Sequence, residues 1–196
     1  EVYGTITNDS KPLTEDAQGF LNPMDVRSSY PMAKRAAETL CHNYAKEYGT
    51  HTKVARLAQT FGAGVTKNDN RVFAQFARSI INGEDIIMHT KGELCRCYCY
   101  TTDAIAAVLY ILLRGKDGEA YNVANETTYI SIKDMATFLA ETFNPKVKVV
   151  VELKENMGYS PTTKLRLSTN KIQQLGWTPH YNLQEMFHRL IESLKQ

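Results

Sequence analysis

The sequence predicts an α/β protein in which helices and short strands alternate along the chain. Two patterns carry this reading: segments whose apolar residues recur at three and four positions and end on glycine, and, between them, short runs rich in β-branched and aromatic residues. Composition agrees, because 196 residues with 43% hydrophobic and 22% charged content suffice for a substantial core.

Taken in order, Pro31 to about Tyr48 reads as the first helix, with Ala33, Ala36, Ala37, Leu40, Cys41 and Tyr44 on one stripe and Gly49 as its stop. Thr52 to Ala58 is a short apolar strand, followed by a loop holding Gly62 and Gly64. Arg71 to Asn82 is amphipathic, with Val72, Phe73, Phe76, Ala77 and Ile80 together and Gly83 at the end. Strands near Ile86–Met88 and Cys95–Tyr100 lead to a helix from about Asp103 to Arg114, apolar enough to be largely buried. A strand at Ala120–Ala124, a helix capped by Ser131 with Asp134 three residues on, and a strand at Val147–Leu153 follow. Ser168 is placed to cap a short helix to Leu175, and Asn182 with Glu185 suits a capping box on the last helix. There is no internal repeat and no long linker, so any second lobe shares a core with the first.

Charge excludes some functions. A net charge of +2 with acids and bases interleaved gives no basic stripe for nucleic acid or an anionic membrane, and no run approaches the roughly 20 apolar residues of a membrane span. The opening Glu1-Val-Tyr-Gly has neither a leading methionine nor the pattern of a signal peptide, and reads as a chain cut from something longer. Cys95, Cys97 and Cys99 alternate, which predicts three small side chains on one face of a strand; a Cys-x-x-Cys pair is missing, so no metal site is expected. Reduced thiols point to a cytoplasmic location.

The candidate chemistry lies at Tyr30-Pro-Met-Ala-Lys34. Random placement of this chain's tyrosines and lysines yields about one such spacing, so the pair has to be judged by context, and Tyr129 with Lys133 repeats it as an internal control. Residues four apart on a helix stand one above the other, and both a nearby ammonium and the positive end of a helix favour a phenolate. Such a phenolate can take a proton from an alcohol. The competing reading packs Tyr30 on the apolar side of its helix and leaves Lys34 solvated.

Five blocks in order settle the context. "EVYG", "YPMAK", "RLAQTFGAG", "RCYCYTTDAI" and "LSTNKIQQLGWTP" resemble successive motifs of the extended short-chain dehydrogenases/reductases that act on nucleotide sugars. The resemblance covers essentially the whole chain. It implies the C-terminal part of a Rossmann-like doubly wound parallel sheet (residues 1–62) plus a smaller mixed α/β substrate-binding lobe (63–196), with chain crossings back to the first. It also implies NAD as cofactor, a nucleotide-diphosphate sugar as substrate and a homodimer whose interface includes the Tyr30 helix. By position, Tyr30 would be the general base, Lys34 its partner and a ligand of the nicotinamide ribose, and Ala58 a neighbour of the nicotinamide. Gln59 falls where the family usually has a substrate-contacting Asn, His89 where a side chain packs on the base, and Arg96 where an arginine grips the diphosphate, with Asn122 and Lys164 as further phosphate candidates.

The departures matter too. Gln59 for Asn, Ala63 for Pro and Cys97 for Asp leave the substrate open, and the sequence has no G-x-x-G-x-x-G phosphate loop. By the resemblance roughly 120 residues of the nucleotide-binding half would lie upstream, and the chain alone is expected to be inactive. By the resemblance, Glu1 stands where the family's 4,6-dehydratases and uronic-acid decarboxylases commonly have Glu, which implies a 4,6-dehydratase-like reaction through a 4-keto intermediate, since a carboxylate there can remove the proton made acidic by the ketone. A 4-epimerase, a uronic-acid decarboxylase, or a non-catalytic dinucleotide- or partner-binding protein of the same fold are the alternatives.

Overall fold

The computed structural model describes residues 1–154 and 162–196. A single 3-10 turn at Val26–Ser28, capped by the Asp25 carboxylate accepting from the Arg27 N–H at 2.9 Å, leads into α1 (Ser29–Tyr48). Pro31 sits in the first turn of α1, where a missing N–H is harmless, and Gly49 closes it with φ 66°.

The expected strand at Thr52 to Ala58 holds β1, and a second short strand follows it directly in another sheet. β1 (Val54–Leu57) runs parallel to β5 (Ala120–Val123), and the Ala58 N–H donates to the Val123 carbonyl at 2.8 Å. The chain then enters β2 (Gln59–Phe61), which pairs in parallel with β4 (Cys95–Tyr100). β4 also pairs antiparallel with β6 (Asn125–Ser131) and in parallel with β8 (Lys164–Leu165). A separate parallel pair joins β3 (Ile86–Met88) to β7 (Val149–Val151).

The pairing of β4 with β6 shifts register between Arg96 and Tyr98, and there the Thr128 hydroxyl accepts from the Tyr98 N–H at 2.7 Å. Cys97 and Cys99 both lie away from the main core, which Tyr98 and Tyr100 join. Cys97 packs with Tyr3, Leu165 and Leu167, whereas Cys99 packs with Ile111, Tyr121 and Trp177.

The main core lies where α2 (Val72–Asn82), α4 (Ile132–Phe143) and α6 (Leu183–Lys195) meet the sheet, around Phe61, Phe73, Met135 and Phe187. Phe61 stacks on Phe73 with centroids 4.4 Å apart. Full burial of each such side chain contributes about 1.5–3 kcal/mol. The predicted caps of α4 and α6 are present: Ser131 Oγ accepts from the Asp134 N–H at 2.9 Å, and Asn182 and Glu185 form a reciprocal capping box.

Two expectations need correction. The cap of α5 (Asn170–Gln173) is Thr169, not Ser168, and Glu126 accepts from both the Thr169 N–H and hydroxyl at 2.7 Å. The helix expected to be largely buried, α3 (Thr101–Arg114), meets the sheet on one side only. Ala104, Ala107 and Ile111 are buried there, while Ile105, Val108, Leu109, Leu112 and Leu113 are exposed, because an apolar composition does not tell which face has a partner. Among the described residues no helix is long and apolar enough to cross a membrane.

Candidate active site

A cavity of about 280 Å³ opens where the chain leaves β1, at the carboxyl end of the strand and at the change from one sheet to the other. That is the position at which open α/β sheets bind ligands. Glu1, Tyr30, Lys34, Ala58, Gln59 and Arg96 all front it.

Tyr30 stands at the entry of α1 and is 57% exposed, so its ring is not sealed in the core. The Lys34 ammonium lies 5.4 Å from the ring centroid and makes no ion pair among the described residues. A cation in that place is attracted to the ring and keeps N–H donors for a hydroxyl in the cavity. The control pair is arranged differently. Tyr129 lies on β6 and donates to the Asp9 carboxylate at 2.8 Å, and burial together with that carboxylate pushes its phenol well above the usual tyrosine range. Lys133 lies across the boundary, in α4.

Arg96 projects from β4 between this cavity and a smaller one of about 100 Å³ that Glu1, Thr5, Ser28 and Thr163 also line. Its Nε is buried with no hydrogen-bond partner among the described residues. Leaving such a donor unmet costs about 1–3 kcal/mol, so an anion reaching it recovers that penalty. Cys97 lines the same wall, and burial pushes its thiol up to about 11.

Three of the residues chosen from sequence lie elsewhere. Asn122 is fully buried, with its amide donating to the Leu13 and Ser168 carbonyls at 3.0 Å and accepting from the Tyr3 hydroxyl, which leaves nothing to offer a phosphate. Lys164 fronts a separate cleft and pairs with Asp9 at 3.4 Å. His89 sits just beyond β3, with Nδ1 3.1 Å from the Glu152 carbonyl. Conversely, Tyr3, Glu38 and Arg56 also line the cavity and were not singled out from the sequence. Their spacing was the available signal: Tyr3 and Arg56 are two residues from Glu1 and Ala58, and Glu38 is four from Lys34.

The α/β scaffold gathers a Tyr/Lys pair, a carboxylate and an arginine whose buried Nε has no partner among the described residues around one strand-end cavity, the place where this class of fold holds ligands. The chain belongs to the NAD dependent epimerase/dehydratase family, whose sequence model matches residues 1–124. It is 30% identical over 185 residues to UDP-glucuronic acid decarboxylase 5 of Arabidopsis thaliana, covering 94% of this chain and 52% of that protein. It is 28% identical to UDP-glucuronic acid decarboxylase 1 of Danio rerio over 98% of this chain and 44% of the relative. The chain thus spans about half the length of the curated relatives it matches. Among solved structures, the UDP-N-acetylglucosamine 4-epimerase of Methanobrevibacter ruminantium superposes with a TM-score of 0.81 at 19% identity, over 99% of this chain and 60% of that one. The dTDP-glucose 4,6-dehydratase of Bacillus anthracis, in complex with NAD, gives 0.79 at 17%, over 99% and 58%. The shared fold is Rossmann-like, and the family is NAD-dependent.

Proposed function

We propose that this chain supplies the proton-transfer pair and the substrate side of an enzyme that oxidises a nucleotide sugar at C4 and then eliminates water in a 4,6-dehydratase-like step. The observation that carries this is the convergence of Tyr30, Lys34, Glu1 and the unmet Arg96 Nε on one cavity. The lining suits the nicotinamide-ribose end of NAD, because Ala58 is a small side chain beside an exposed phenol and an ammonium with no ion pair among the described residues.

NAD bound there would accept the hydride released from C4. Tyr30 takes the C4 hydroxyl proton and gives it up to solvent, since the product keeps the C4 ketone. Lys34 holds the ribose hydroxyls and stabilises the phenolate. Arg96 grips the diphosphate with a planar fork, and Gln59 orients a sugar hydroxyl. Glu1 removes the C5 proton that the ketone has made acidic, the C6 hydroxyl leaves with a proton as water, and C6 and C5 then regain the hydride and a proton, so the cycle ends with no net oxidation.

Tyr30→Phe tests this in the full-length protein: turnover should fall by about a thousandfold or more, with nucleotide-sugar binding retained. Parental turnover in that variant would end the reading, and bound NAD that no nucleotide sugar reduces would favour a purely binding protein.

One observation favours a second reading, decarboxylation: relatives matched over nearly the whole chain are UDP-glucuronic acid decarboxylases. A 4-keto uronate is a β-keto acid that loses carbon dioxide without a base. Mass spectrometry of products from UDP-glucuronate and from a neutral nucleotide hexose separates loss of carbon dioxide from loss of water. Glu1→Gln should abolish only the latter. We also propose assembly as a homodimer through α1, whose Met32, Leu40, Tyr44 and Tyr48 are exposed.

A further inference from the structure

We propose that Arg56 is a positioning residue for the proton-transfer set, clamping together the three segments that carry Glu1, Lys34 and Ala58; the inference rests on the functional reading of the cavity given above. Arg56 Nε and Nη2 donate to the Glu38 carboxylate at 3.0 and 2.6 Å, a two-pronged pair in which neither side chain is more than one-fifth exposed. Nη1 donates to the Tyr3 hydroxyl at 3.0 Å and to the Glu15 carbonyl at 2.7 Å, and the guanidinium lies 5.0 Å from the Tyr3 ring centroid. Tyr3 passes the chain of bonds on by donating to Asn122, and burial holds its phenol above the usual tyrosine value against the pull of Arg56. Tyr3 is therefore a fixed neutral donor, unlike the exposed Tyr30.

The clamp repeats the site one step away. Glu38 stands one helical turn beyond Lys34 on the same face of α1, Arg56 precedes Ala58 by two residues along the strand, and Tyr3 follows Glu1 by two. A rotation of α1 about its axis that moved Lys34 off the Tyr30 ring would also break both prongs to Glu38. A charge pair of this burial adds little to stability, whereas its planar two-pronged geometry fixes an angle that a lysine in the same place does not. The fold has an independent tie between the same segments: Arg35 donates to the Val2 and Gly19 carbonyls at 2.8 Å. Loss of the Arg56 fork should accordingly tilt α1 without detaching it.

The test uses the full-length enzyme with NAD and measures kcat, KM for the nucleotide sugar, the pH profile of kcat and Tm. Arg56→Lys should lower kcat by about tenfold to a hundredfold, the effect of a small misplacement, and leave KM within about twofold, because Arg96 rides on a different strand. The pH profile of kcat should differ from the parent's as the ammonium drifts from Tyr30. Glu38→Gln, which keeps an acceptor for the fork, should recover part of what Glu38→Ala loses. A fall in Tm with kcat and the pH profile unchanged would make Arg56 merely structural, and a raised KM with kcat unchanged would make it a ligand contact; either overturns the proposal. If Arg56→Lys does not fold, Tyr3→Phe decides, since it removes one oxygen from the clamp and keeps the ring: a lowered kcat at constant KM supports the proposal, and parental kcat refutes it. Full activity in Tyr30→Phe marks the failure of the catalytic reading itself, a result that no Arg56, Glu38 or Tyr3 variant produces.

Discussion

Replacing Asp103 by alanine probes how the last third of the chain is held to α3. The Asp103 side chain is 3% exposed, and its Oδ2 accepts from the His180 N–H at 3.0 Å and the Tyr181 N–H at 3.1 Å. Its backbone carbonyl, which alanine keeps, accepts from the Trp177 indole at 3.0 Å. Each amide left without an acceptor costs about 1–3 kcal/mol, and water reaching the more exposed His180 side relieves part of it, so the loss should be about 2–4 kcal/mol. For a protein of this size that corresponds to a fall in Tm of about 5–15 °C. Thermal unfolding followed by circular dichroism measures it directly. His180→Ala is the control, because the ring is largely exposed and both backbone donors survive; it should cost less than about 0.5 kcal/mol. An Asp103→Ala Tm within about 2 °C of the parent, or an equal fall in His180→Ala, would refute the argument that the two amides, not the ring, are what the carboxylate secures.

Other expectations follow from the cavity and the thiols. Uridine diphosphate should raise the Tm of the full-length protein, and Arg96→Met should weaken its binding by about tenfold or more in calorimetry, since the buried Nε is what a phosphate oxygen satisfies. Burial raises Cys97 and Cys99 to about 11 and about 12, against 9.0 for an ordinary thiol. Both stay protonated in the fold where the unfolded chain ionises, so their contribution is complete below pH 9 and is lost as pH rises toward 11 and 12. Denaturation midpoints measured at rising pH should fall less steeply in Cys97→Ala than in the parent. Leu40→Glu together with Tyr44→Glu should give a monomer in sedimentation if α1 is a dimer face, and an unchanged sedimentation coefficient counts against that interface.

Helices were the most legible part of the sequence. Their stripes at three and four positions mark a face, and Gly49 and Gly83 end α1 and α2 in the left-handed region that favours glycine. Strand boundaries were less so, since nothing in Thr52–Phe61 tells that Leu57 pairs with Val123 while Gln59 pairs with Tyr98 in another sheet. Of the residues named from sequence, six front one cavity, and for Tyr30 and Lys34 the spacing on one helix foretells it. The partners that occupy Asn122 and Lys164, Tyr3 and Asp9, are 119 and 155 residues distant and left no local signal. Arg56 escaped for the same reason: a strand arginine looks solvated until Glu38 and Tyr3 are brought against it.

The shift in β4 bears on how the cavity wall is made. A regular strand sends neighbouring side chains to opposite faces, so Arg96 and Cys97 would ordinarily part company. The bulge between Arg96 and Tyr98 lets both look into one space, a charged fork beside a small thiol. Deleting one residue here would mend the hydrogen-bond ladder and turn Arg96 or Cys97 out of that wall, so at this spot a more perfect sheet would leave a poorer cavity.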